Sequence, residues 1–297
     1  MPPFGRPPAY ARPVLRILDA RTGDPVAAAP ARRGLTRVEA HAHGLDLTAL
    51  RVLLTADLLV RALELGGTPV WTTLDAPHRN AELRAAAATL SIRPFEDGRD
   101  LASGLGEAQA IHIVAQEGGR VPAEGPVMAV APARWTRARS GPSPSGDAPG
   151  PSSDPGSVQE TEPPSGAFLA PPPDDPVSPP AAPLADPAAL RLALLSVPRG
   201  APVRLDRAVL DGAAQRLARW RGAAAGWARQ PSRPVPGEVR ARLRDAWEDD
   251  LDLPAVLEVL RDVESDRHLP DGARFETFVY ADRLLALDLS SALGSPA

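Results

Sequence analysis

A chain of 297 residues, 43% of them apolar, is long enough for two domains and can bury substantial cores, which an aromatic share of 4% leaves to Leu, Ala and Val. A net charge of −4 excludes nucleic-acid binding through bulk charge alone, so only local basic patches bear on that function. All 33 basic residues are arginine and there is no cysteine, which excludes disulfides, thiolate metal sites and a cysteine nucleophile.

Residues 1–13 place prolines where a signal peptide needs an apolar run, and no stretch reaches the roughly 18 apolar residues of a membrane span. The expectation is a soluble, cytoplasmic protein without membrane contact. From 14 to 138, short β-type runs alternate with helical ones. Strands are expected over 35–41, 68–74, 110–115 and 127–131. Between the first two, Leu47, Leu50, Leu54, Leu58 and Ala62 recur at helical spacing, and Gly66-Gly67 supplies a stop. Asp75 is placed to cap a following helix that runs to about Leu90. Strand–helix alternation of this kind predicts a parallel, Rossmann-like sheet. Gly104-Leu105-Gly106 precedes a strand instead of following one, so it reads as a turn and not a phosphate loop.

Residues 139–183 are Pro, Ser, Gly and Asp in varied order and read as a disordered linker, because they carry too little apolar surface to offset ordering entropy. Residues 184–293 are helical. Leu217, Trp220, Ala224 and Trp227 share one helix face, Pro231, Pro234 and Pro236 separate that helix from one starting near Glu238, and Val256 to Val263 and Phe275 to Leu284 mark two more. The fold class expected is α/β plus all-α: a Rossmann-like domain followed by a bundle of four or five helices.

Three segments of the C-terminal part carry a family resemblance. The run from Asp186 to Ser196 resembles the DALR-type anticodon-binding helix of class I aminoacyl-tRNA synthetases. Leu243 to Leu257, with Trp247-Glu248-Asp249-Asp250-Leu251-Asp252-Leu253-Pro254 at its centre, is similar to a stretch characteristic of cysteinyl-tRNA synthetases, and Leu284 to Leu289 resembles their closing helix. In the front half, Val14 to Thr22 is similar to the same family's opening segment and Asp57 to Gly67 to one of its helices. The resemblance implies an anticodon-binding bundle, ATP as a ligand, tRNA as a partner and a zinc ion that reads the cysteine thiol.

Against those expectations the chemistry is thin. Counted without gaps, the family's HIGH-type tetrapeptide falls on Asp46-Leu47-Thr48-Ala49, whereas a gapped alignment puts His43-Gly44 onto it; no lysine exists to supply a KMSKS loop, and Arg37 stands where the first zinc cysteine belongs. Arg134, Arg137 and Arg139 form no recognisable loop signature. The five histidines, His41, His43, His78, His112 and His268, show no ligand cluster in the sequence, so neither zinc nor another metal is expected. His41 and His43, at i and i+2 on a strand end, together with Thr48, Arg51 and Asp75, are the candidate remnant nucleotide contacts; the alternative is ordinary strand-end and capping roles.

Between Arg204 and Arg244 ten arginines face three acids, and from Asp245 to Asp288 thirteen acids face four arginines. Arg216, Arg219, Arg221 and Arg229 are the candidate RNA contacts; the alternative is that basic and acidic helices neutralise each other. The sequence therefore points to a cysteinyl-tRNA synthetase-like protein without catalytic residues, left with a binding role toward RNA, a nucleotide or a protein partner. The alternatives are an ATP-dependent ligase with substituted groups, either a synthetase or a relative joining cysteine to an amino sugar, and a purely structural interaction module.

Overall fold

The computed structural model describes residues 15–29, 35–97, 107–118, 124–136 and 183–293. The N-terminal tail, the Gly104–Gly106 turn, Arg137, Arg139 and all of the 139–183 linker except Pro183 lie outside the described residues.

Five strands form one parallel sheet in the order β5-β4-β3-β6-β7: β3 (Leu35–His41), β4 (Val70–Asp75), β5 (Glu96–Asp97), β6 (Glu107–Ala115) and β7 (Val127–Val130). The chain runs outward from β3 through β4 to β5, then returns to the other side of β3 for β6 and β7. That reversal is the signature of a doubly wound, Rossmann-like sheet, and it puts the switch point between β3 and β6. The first strands, β1 (Arg16–Leu18) and β2 (Pro25–Ala27), form an antiparallel ribbon that the sequence reading did not anticipate.

Period-two alternation sorts β3. Thr36, Val38 and Ala40 are buried, and Arg37, Glu39 and His41 occupy the opposite, half-buried face. Helix α1 (Leu47–Leu65) lies against β3, β4 and β6, with Asp46 as its N-cap accepting from the Ala49 N–H. Fifteen of its residues are buried, more than one apolar stripe requires, because α1 also packs on the last helix of the chain. Helix α2 (Asn80–Thr89) follows β4, but Asp75 does not cap it: the cap position is Arg79, in a left-handed conformation with φ 51°. Asp75 sits five residues upstream of the helix, beyond reach of its first N–H groups, and has another partner.

The C-terminal part contains α3 (Pro187–Leu195), α4 (Arg207–Trp227), α5 (Gly237–Glu248), α6 (Leu253–Ser265) and α7 (Asp271–Leu285). Asp186, Asp206 and Asp252 cap α3, α4 and α6 by accepting backbone N–H bonds from Ala189, Val209 and Ala255. Trp220 and Trp227 pack edge-on against Phe278 of α7, with ring centroids at 5.8 and 5.0 Å. The segment Leu284 to Leu289 is not a closing helix throughout: α7 stops at Leu285, Ala286 turns left-handed with φ 48°, and the Asp282 carboxylate accepts from the N–H groups of Leu287 and Leu289.

The two parts share one apolar core. Strand β8 (Ala133–Trp135) pairs in parallel with β9 (Val203–Leu205), joining the end of the sheet region to the helices. Asp250 in the α5–α6 turn accepts from the Leu18 N–H and pairs with Arg199, which fixes β1 to the helical part. At the centre the Asp57 carboxylate, on α1, meets Arg61, Arg93 and the fully buried Arg191 of α3. Among the described residues no helix is long and apolar enough to cross a membrane.

Candidate functional site

The sheet brings together four polar side chains that lie far apart in the chain. His41 ends β3, Asp75 ends the neighbouring β4, and Glu39 and His112 face each other across the β3–β6 pair. The His41 ring lies 3.2 Å through Nδ1 from Asp75 Oδ2 and 3.0 Å through Nε2 from His112 Nδ1. Glu39 Oε2 is 3.6 Å from the same His112 nitrogen. The ligand-type atoms of Glu39, His41 and His112 all fall within 4.8 Å of one another. A cluster absent from the spacing of the histidines is therefore assembled by the fold, from strands 71 residues apart.

Burial pushes the His112 pKa down, helped by the cationic Arg37 and the neighbouring His41, while Glu39 and a backbone hydrogen bond with Glu124 pull it the other way without reversing the shift. Gly125 makes that arrangement possible. Its φ is +78°, and an added Cβ would stand 2.3 Å from the Ala110 carbonyl oxygen and 3.5 Å from the His112 ring. On the same sheet face, Thr73 lies opposite Glu39 and Trp71 opposite Arg37. The buried Thr73 hydroxyl and Trp71 Nε1 have no hydrogen-bond partner among the described residues.

Of the five residues expected as remnant nucleotide contacts, His41 and Asp75 meet. His43 is exposed in the β3–α1 loop, past the strand end, so it does not share the His41 face. The Thr48 hydroxyl accepts from the Ala133 N–H. The Arg51 guanidinium is buried and donates to the carbonyls of Ala131, Ala201, Val197 and Pro198 at 2.7 to 3.2 Å, so it clamps the sheet part to the helical part. Asp46-Leu47-Thr48-Ala49 is a cap and first helical turn. Glu39 and His112 were missed because neither is at a strand end and each needs the other strand to acquire meaning.

The four arginines expected to contact RNA have different surroundings. Arg219 pairs with Glu264 of α6, which also accepts from Trp220 Nε1. Arg221 donates to the carbonyls of Leu287 and Asp288. Arg216 is half-buried, its pKa lowered by burial and by Arg261 and Arg219, and Arg229 is exposed past the end of α4.

The described sheet is an open parallel α/β sheet of the Rossmann-like class, with a polar cluster beside its switch point. No family model matches the chain. Over 73 residues, 25% of the chain, it is 47% identical to the L-cysteine:1D-myo-inositol 2-amino-2-deoxy-alpha-D-glucopyranoside ligase of Parafrankia sp. (strain EAN1pec); the matched stretch is 16% of that protein's length. The chain is thus similar, over a quarter of its length, to a cysteine ligase.

Proposed function

We propose that the protein is a diverged relative of cysteine ligases and cysteinyl-tRNA synthetases that binds a small polar ligand of the nucleotide class and does not activate cysteine. The observation that carries this reading is the His41–Asp75–His112 group at the β3–β6 switch point, where doubly wound sheets receive their ligands.

Amino-acid activation needs charge stabilisation on the transferring phosphoryl group. The chain has no lysine to provide it, and Arg51, the arginine beside the expected tetrapeptide, is committed to four carbonyls. The helices α3–α7 are read as the counterpart of an anticodon-binding bundle whose role here is to complete the core. Arg219 and Arg221, turned to protein acceptors, support a neutralised bundle over an RNA surface. The location proposed is the cytoplasm.

A second reading, a working cysteine ligase that joins cysteine to an amino sugar with substituted groups, is favoured by the 47% identity over the matched stretch. Melting of the full chain in ATP, L-cysteine or tRNA separates the readings, since a ligand at about 100 times its Kd stabilises the folded state by about 2.7 kcal/mol. ATP raises the melting temperature of the wild type and not of Asp75→Ala, an exposed change that leaves the core intact. A protein indifferent to ATP overturns the nucleotide reading, stabilisation by tRNA alone redirects it to RNA, and stabilisation by cysteine only in the presence of ATP favours the ligase.

A further inference from the structure

Three groups that can each ligate a cation converge on the β3–β6 pair. Asp75 Oδ2 lies 3.2 Å from Nδ1 of His41, and the His41 tautomer that donates to this carboxylate presents a lone pair at Nε2. That Nε2 stands 3.0 Å from Nδ1 of His112, and a Glu39 carboxylate oxygen lies 3.6 Å from the same His112 nitrogen. The ligand-type atoms of all three fall within 4.8 Å of one another. A single proton can link the two rings, and a cation held by the two nitrogens and the carboxylate can take its place.

The spacing suits a metal ion. Ligand atoms at 2.0–2.1 Å from a tetrahedral zinc are separated by about 3.3 Å, close to the two distances observed. His41 is held from behind by the Asp75 carboxylate, which is the outer-shell pattern that fixes tautomer and ring direction at metal sites. Two nitrogens and one oxygen are borderline donors that suit zinc over magnesium or calcium. One feature opposes affinity: the Arg37 guanidinium lies 3.8 Å from the same Glu39 oxygen.

We propose that Glu39, His41 and His112 form a three-ligand site for one zinc ion on the polar face of the sheet, with a fourth coordination position left for solvent or a ligand. This replaces the expectation of a metal-free protein. Because it uses no cysteine, it differs from the Cys- and His-based zinc set that the family resemblance implies, and it stands or falls separately from the question of ligase activity.

The test is zinc content and calorimetric zinc titration of the full, untagged chain after treatment with chelator. The expected result is one zinc per chain for wild type and for the exposed-histidine control His268→Ala. Stoichiometric binding is lost in His41→Ala and in Glu39→Gln/His112→Gln. Asp75→Asn weakens affinity by about 10-fold or more, since it acts through His41. Circular dichroism confirms that His41→Ala, at a half-buried position, keeps the wild-type helix content. Cobalt in place of zinc reports geometry, with visible absorption of tetrahedral intensity in wild type and none in His41→Ala. A wild-type chain that binds no stoichiometric zinc, or zinc that remains in both ligand variants, overturns the site and leaves a shared proton between the two rings.

Discussion

Replacing Arg51 with methionine separates a structural clamp from a ligand contact. The guanidinium makes four hydrogen bonds of 2.7 to 3.2 Å to carbonyls of two segments, one ending the sheet and the other following α3. Burial pushes its pKa down to about 10, so it is still a cation at neutral pH and each bond is charge-assisted. Such bonds contribute roughly 1.5–3 kcal/mol each, but three of the four carbonyls are partly accessible and regain water, so the net loss comes to about 3–5 kcal/mol. For a protein of this size that lowers the melting temperature by roughly 5–8 °C. Methionine keeps most of the buried volume, which limits any cavity contribution. Calorimetric melting, paired with ATP titration well below the transition, measures both consequences. If Arg51→Met melts within about 1 kcal/mol of wild type, below the effect of losing even one charge-assisted bond, yet no longer responds to ATP, the clamp is wrong and Arg51 is a nucleotide contact.

Asp57→Ala strands the buried Arg191 and costs about 3–5 kcal/mol in chemical denaturation, whereas Arg61→Ala at the edge of the same network costs far less. Gly125→Ala strains a position at φ +78° and brings a methyl against the Ala110 carbonyl; it destabilises by about 1–3 kcal/mol and, with the new Cβ beside the His112 ring, lowers zinc affinity. Burial raises the Asp19 pKa, but the backbone N–H groups of Arg21 and Val127 and the Arg21 side chain lower it further, to a net value below the usual 3.8. The Asp19 contribution to stability is therefore present above the unfolded-state pKa and lost as pH falls through the folded one. Melting from about pH 5 downward should fall more steeply in wild type than in Asp19→Asn, and equal slopes would refute it.

The elements legible in the sequence are those with strong local signals. The β3 alternation gave its bounds, the leucine spacing with Gly66-Gly67 marked α1, and the paired tryptophans marked α4. What escaped depends on partners distant in the chain. The reach of Arg51 to carbonyls 80 and about 150 residues away has no local trace. The ribbon β1–β2 is too short to show a period. Asp75 carries a capping signature, but its strand runs one residue further than expected and aims it at His41 instead. The site was half-visible for the same reason: His41 and Asp75 end strands, while Glu39 and His112 look like ordinary interior strand residues until β3 and β6 are laid side by side.

The central claim, that the site binds a nucleotide-class ligand and does not activate cysteine, is tested most directly by cysteine-dependent exchange of pyrophosphate into ATP, measured on the homogeneous chain with and without added zinc. Loss of a single electrostatic stabiliser commonly costs about 10² to 10³ in rate, and the chain has no lysine to act as one. The account predicts exchange at background in both conditions; saturable exchange that disappears in Asp75→Ala would contradict it and identify the chain as a working ligase.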